Sequence, residues 1–169
     1  MADTVAAVNP RIASASDRAA VVAFLGRLSP ATLQARYLGG VPSLVGQRAA
    51  RETQRLLDSD GSRHVVLLAD DGEDAEDANI HGIGEFVIET SGAGAVLALL
   101  VEDRFQGQGI GHALLGRLEQ LARERGITQF SGEVAYGNER VLRLLRSSGG
   151  PLRLQPEYGA LHFTLGLAS

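Results

Sequence analysis

The residues Gln106-Gly107-Gln108-Gly109-Ile110-Gly111 separate an apolar run from a long amphipathic stretch, and their types suit anion binding. The N–H groups of a first helical turn have no partner within the helix, and the helix dipole adds partial positive charge there. Glycine has no Cβ, so the main chain can approach an anion closely. Strand, glycine turn and helix in this order propose a diphosphate ligand. The dinucleotide fingerprint is absent, because its third glycine would fall on His112, and no Gly-Lys-Ser/Thr exists to make a P-loop. The chain has no lysine at all; its 16 basic residues are all arginine. Taken alone, a tight connection would explain such a turn equally well.

Other chemistry is narrowed by what is missing. No cysteine is present, which excludes disulfides, thiolate catalysis and cysteine-containing zinc sites. His64, His81, His112 and His162 have no metal-ligand spacing, so no metal is expected. A net charge of −4 without a basic tract argues against nucleic acid as the main partner. No apolar stretch is long enough to span a membrane, and the first residues lack the basic and apolar regions of a signal peptide. A cytoplasmic protein is the default expectation. Arginine-only, alanine- and glycine-rich usage points to a GC-rich bacterial genome.

At 169 residues one domain is expected, over 1–169, burying roughly 70% of its unfolded surface. Val5 to Ala13 reads as an opening edge strand that tolerates Pro10. Ser16 and Asp17 offer caps for a helix carrying Val21, Val22, Leu25 and Leu28. Ser29-Pro30 begins a second helix, stopped by Gly39-Gly40, and Ser43 to Leu57 forms a third. Arg63 to Ala69 is a buried strand, Asp70 to Asn79 an exposed hairpin loop, and Ile80 to Thr90 a further strand. Val96 to Val101 is apolar on both faces, which predicts a strand covered on both sides.

The helix after the glycine turn runs to about Arg125 and is closed by Gly126. Its buried stripe is Ile110, Leu114, Leu118, Leu121 and Ala122, with Arg117, Glu119, Arg123 and Glu124 outside. Ile127 to Ala135 is a strand, and Asn138 caps a helix with Val141, Leu142, Leu144 and Leu145. Leu152 to Gln155 and Ala160 to Leu165 are strands about a turn near Pro156. This order predicts an α/β (α+β) fold: a mixed, mainly antiparallel sheet of about seven strands, with helices on both faces.

Apolar strand, Gln106-x-x-Gly109-x-Gly111, helix, strand, and Asn138 ahead of Gly149 together resemble the GNAT superfamily of acyl-CoA-dependent N-acyltransferases. The resemblance extends from about Arg11. It is closer to the Pat-type branch, bacterial protein lysine acetyltransferases, at Phe24 to Pro30, Arg36-Tyr37, Arg63-His64-Val65, Gly132-Glu133-Val134 and Asn138-Glu139-Arg140. It implies a GNAT-like fold, acetyl-CoA as co-substrate, and a primary amine as acceptor, either a protein lysine or a small molecule. The N–H groups of Gln106, Gly107, Gln108, Gly109, Ile110 and Gly111 would cradle the pyrophosphate. His112, directly after the turn, would contact phosphate or solvent. Backbone groups of Leu99, Leu100 and Val101 would bond the pantetheine arm where the strand splays from its neighbour. An N–H near Leu100 would polarise the thioester carbonyl. Asn138 would lie near the pantetheine while capping its helix.

Transfer to an amine also needs a base, since such an amine is mostly protonated at neutral pH. The glutamate that fills this role in Pat-like sequences falls, in register from the turn, at Val96. Glu133 is the best substitute: it shares a polar strand face with Gln129 and Ser131, and burial in an acceptor cleft would raise its pKa. A structural carboxylate paired with an arginine is the alternative. Glu85 and Glu102 are weaker candidates, Glu102 as a surface strand end. The tyrosine that protonates the leaving thiolate in many relatives would fall at Leu145, so Tyr136 and Tyr158 stay unassigned. Two readings follow: an acetyltransferase acting by direct attack of the amine, or a catalytically weak acyl-CoA-binding sensor. Monomer and homodimer are both open.

Overall fold

Side-chain alternation along the strand His64–Asp70 (β2) decides the layering, because its odd and even positions serve different cores. Val65, Leu67 and Ala69 pack against Leu114 and Leu118 of α4 (Ile110–Glu124) and share a cluster with Leu142 and Leu145 of α5 (Glu139–Ser147). Val66 and Leu68 join the opposite cluster. There they meet Phe24 and Leu25 of α1 (Arg18–Arg27), Leu33 of α2 (Pro30–Tyr37) and Leu56 of α3 (Gly46–Leu57). The structure is a computed structural model describing residues 8–72 and 78–168. The start of the expected opening strand and the middle of the expected acidic loop lie outside those residues.

Seven strands form one sheet: β1 (Arg11–Ile12), β2, β3 (Ile80–Ile88), β4 (Gly94–Val101), β5 (Gln129–Ala135), β6 (Leu152–Glu157) and β7 (Ala160–Gly166). Their order is β1-β2-β3-β4-β5-β7-β6, and every neighbouring pair is antiparallel except β4 with β5. That one parallel pair is joined by α4, as a parallel connection requires a crossover. The predicted mixed, mainly antiparallel sheet with helices on both faces is therefore what the chain forms.

Several expectations shift at the margins. The opening strand is only two residues long and pairs with Leu67 and Leu68. The last hairpin turns at Tyr158-Gly159, and Pro156 lies inside β6, where an edge strand has no outer ladder to feed. Glu119, expected outside, is buried, with Arg123 covering its carboxylate at 3.1 Å. Leu115 is buried as well, so the inward arc of α4 is wider than one stripe. Glu102 does not end at the surface. It is buried between Arg27 at 3.1 Å and Arg104 at 2.8 Å. Val96, expected to be covered, is 46% exposed, because the helices on that side leave this end of β4 open.

Glu85 ties α2 and α3 to the sheet. Its carboxylate accepts from Arg55 at 2.7 and 2.8 Å, Arg36 at 3.2 Å and His64 at 2.7 Å. Glu52 extends the cluster by accepting from Arg55 and from the Tyr37 hydroxyl at 2.9 Å. Burial alone would push the Glu85 carboxyl up, but the bonds from His64 and Arg55 and the charges of Arg55 and Arg36 outweigh it. The pKa is held at about 2, so this buried group is a permanent anion rather than a base.

Such a depressed carboxyl stabilises the fold above its ordinary value of 4.5, and that contribution fades as pH falls toward about 2. Glu85→Gln should cost about 2–3 kcal/mol at pH 7, leaving Arg36 without its counter-charge and Arg55 with Glu52 alone. It should also flatten the acid limb between those two pH values. Urea unfolding across pH 2–7 checks both, and wild-type stability at pH 7 would contradict the pairing.

Candidate functional site

β4 and β5 stay together for only three rungs, Gly94 with Gln129, Ala95 with Phe130, and Val96 with Ser131. Beyond them β4 continues to Val101 along β3, while β5 continues to Ala135 along β7. The parallel pair therefore splits, and a cleft of about 880 Å³ opens through the gap. That volume lies in the range of small-ligand sites.

Alternation decides which backbone groups face the split. Glu89 N–H donates to Gly94 O and Glu102 N–H to His81 O, both at 2.9 Å, and the β3–β4 register runs unbroken between them. The main-chain groups of Val96, Ala98 and Leu100 consequently point at β3, and those of Leu99 and Val101 point into the split. Leu100, expected to present its N–H to a ligand, has that group in the β3 ladder instead. Its side chain is buried under α1–α3. Leu99 carries the open amide, one residue from the expected place. The Leu99 and Val101 amides therefore face the split rather than a neighbouring strand, and groups of this kind need a partner.

At the top of β4 the chain makes a short helical turn at Asp103–Phe105 and enters the glycine run. Gly109 holds φ +89°, a left-handed conformation that favours glycine. The helical ladder begins with Ala113 N–H donating to Gly109 O at 3.0 Å, which leaves the amides of Ile110, Gly111 and His112 without intrahelical partners. Gly107 and Gly109 line the same cleft, as do Gly111 and His112. Gln106 behaves differently from expectation. Its own amide donates to Asp103 O at 3.2 Å, so it is not open to a ligand. Its side chain clamps the turn instead, donating to Val101 O at 3.0 Å and Thr32 Oγ1 at 3.2 Å and accepting from Arg140. Asp103 fastens the start of α2 to the same turn, accepting from the hydroxyls of Ser29 at 2.7 Å and Thr32 at 3.0 Å. Arg140 and Arg143 of α5 line the mouth and bring positive charge to the open amides. Spacing alone did not single out these two arginines, because their nearness depends on how α5 docks.

Asn138 caps α5, its side chain accepting from Val141 N–H at 3.3 Å, and it also lines the cleft. Glu133 stands on the β5 wall, paired in register with His162. It is exposed, where burial was expected, because it faces the open cleft; among the described residues its carboxylate has no hydrogen-bond partner. Tyr136 donates to Glu157 O at 2.9 Å and Tyr158 is fully exposed on the hairpin turn; neither lines the cleft. Among the described residues no group of three or more His, Cys, Asp or Glu could hold a metal ion. No helix among them is long and apolar enough to cross a membrane.

The acetyltransferase (GNAT) family model matches residues 35–149. Among solved structures, the chain is similar to the GNAT domain of S. lividans PAT, at 25% identity and TM-score 0.81, covering 95% of this chain and 90% of that one. It is also similar to yncA from Salmonella typhimurium, solved with its cofactor acetyl-CoA, at 22% identity and TM-score 0.68 over 97% and 96% of the two chains. A third match is a GCN5-related N-acetyltransferase from Kribbella flavida, at 20% identity and TM-score 0.70 over 94% and 96%.

Gly109→Asp places a negative charge and a Cβ at the left-handed start of α4. Coenzyme A affinity should fall at least about 10-fold by titration calorimetry, on the scale of one lost charge-assisted contact. Unchanged affinity would remove the turn from the binding surface.

Proposed function

We infer that this chain, which belongs to the acetyltransferase (GNAT) family, moves an acetyl group from acetyl-CoA to a primary amine by direct attack on the thioester. The observation that carries this reading is the split parallel pair, whose open β4 backbone leads straight to the uncapped amides of the glycine turn. A long cofactor with an anionic head and an amide-bearing arm matches both ends of that track.

In this reading the amides of Gly107, Gln108, Gly109, Ile110, Gly111 and His112 hold the pyrophosphate, with Arg140 and Arg143 beside it. Gln106 positions the turn through its side chain. Leu99 and Val101 bond the pantetheine arm as a surrogate strand, next to Asn138. The Leu99 N–H is then the donor closest to the thioester carbonyl, where it would stabilise the oxyanion of the tetrahedral intermediate. Leu100 contributes by fixing β4 to β3. The relative solved with acetyl-CoA supports the choice of cofactor.

The acceptor enters from the α1–α3 side, where Val96, Ser131 and Glu133 line the cleft. The amine's proton leaves through a carboxylate on that face, of which Glu133 is one, or through a water standing beside Val96. The resemblance to the Pat-type branch favours a protein lysine over a small amine. The chain cannot be its own side-chain substrate, since it contains no lysine.

Release of free coenzyme A from acetyl-CoA, followed over a panel of lysine peptides and small primary amines, tests this reading. Amine-dependent release is expected. Thermal stabilisation by coenzyme A without turnover on any amine would overturn it in favour of a sensor.

A further inference from the structure

We propose that Glu89, at the end of β3, is the carboxylate that takes the proton from the attacking amine; this rests on the acetyltransferase reading above. The position where a Pat-like sequence would carry its glutamate holds Val96, an aliphatic side chain that lines the cleft and cannot accept a proton. The neighbouring strand supplies what is missing. Glu89 lies one hydrogen-bonded rung before the hairpin turn, donating its N–H to Gly94 O, so it sits two residues along from Val87, the β3 partner of Val96. Residues two apart on a strand share a face. Glu89 therefore projects on the same side of the sheet as Val96 and Ser131, and all three line the cleft.

Its carboxylate is held at the apex of the split. Glu89 Oε1 accepts from the Ser131 hydroxyl at 3.2 Å, and Ser131 is the last β5 residue paired with β4 before the strands part. Gly94 makes room for it: a Cβ built on Gly94 would lie 2.6 Å from Glu89 Oε2. The pairing of glycine below and hydroxyl beside fixes the carboxylate over the point where a pantetheine arm threaded along β4 must end. Glu133 stands two residues further along β5, beyond the last rung, exposed and without a side-chain partner among the described residues. Glu85 on β3 and Glu102 just after β4 are both neutralised by arginine. Glu89 has no arginine or histidine within ion-pair distance among the described residues.

The proton balance is simple. One N–H bond of the ammonium breaks and the proton passes to the Glu89 carboxylate, then to water. The freed lone pair forms the C–N bond at the thioester carbon. Collapse breaks the C–S bond, and the second nitrogen proton ends on sulfur, giving the amide and the coenzyme A thiol. Glu89 returns to its ionised state with no other reactant consumed.

The test compares wild type, Glu89→Gln, Glu133→Gln and the double variant Glu89→Gln with Val96→Glu. Each is assayed for amine-dependent coenzyme A release and for acetyl-CoA affinity by calorimetry. Glu89→Gln should lower kcat about 100-fold, the usual scale of a lost general base, while acetyl-CoA binds within about twofold of wild type. Returning a carboxylate at position 96 should restore at least about 10-fold of that loss, which a merely misfolded or structural variant would not show. Wild-type kcat in Glu89→Gln, a loss confined to Glu133→Gln, or no recovery in the double variant would each overturn the assignment while leaving the acetyltransferase reading intact. Absence of turnover by the wild-type chain would overturn both.

Discussion

A parallel strand pair that lasts three rungs and then parts is the constraint on which this structure depends. Hydrogen-bonding groups of a central strand are rarely left unpaired inside a protein, because each buried orphan costs about 1–3 kcal/mol. Here the Leu99 and Val101 amides of β4 face a gap rather than a neighbouring strand, while the Val101 carbonyl accepts from the Gln106 side chain. The antiparallel ladders to either side are unbroken, β3 holding β4 and β7 holding β5, as the two halves of the sheet diverge. The glycine turn at the open end and the Glu89–Ser131 contact at the closed end take their meaning from this split.

Charge is distributed to match. With arginine as the chain's only strongly basic residue, guanidinium groups do two separate jobs. Arg27, Arg36, Arg55 and Arg104 neutralise the buried carboxylates of Glu85 and Glu102 and pin the helices to the sheet. Arg140 and Arg143 face the cleft mouth beside the uncapped amides, where an anion would sit. Two carboxylates without an arginine partner among the described residues, Glu89 and Glu133, line the cleft on the face of Val96 and Ser131. An ion network thus supports the fold, and a second set of charges faces the cleft.

What the sequence disclosed was mostly local. The glycine turn, the α4 stripe, the Ser29-Pro30 start of α2 and the Asn138 cap of α5 all depend on neighbours within a few residues, and all are present. The element order was equally readable, because period two and period 3.6 alternate cleanly along the chain. Features that depend on distant pairing were harder to see. The burial of Glu102 and Glu119 comes from arginines that reach across or along helices, so hydropathy pattern alone placed them outside. Leu100 and Leu99 exchange roles because strand alternation relative to β3 sets which amide is open, and that register is not written in β4 itself. Glu89 carried a faint signal: the short turn between β3 and β4 sets it opposite Gly94 and near Val96. Its contact with Ser131, however, comes from a strand 42 residues away.

The central claim is that the open backbone of β4 is the seat of the pantetheine arm. Amide hydrogen exchange resolved by NMR, with and without saturating acetyl-CoA, tests it residue by residue. The Leu99 and Val101 amides should exchange fast in the free protein and become protected on binding, while Leu100, already in the β3 ladder, stays slow in both. Saturation with acetyl-CoA that leaves Leu99 and Val101 unprotected would contradict the proposed binding mode, wherever else on the chain protection appeared.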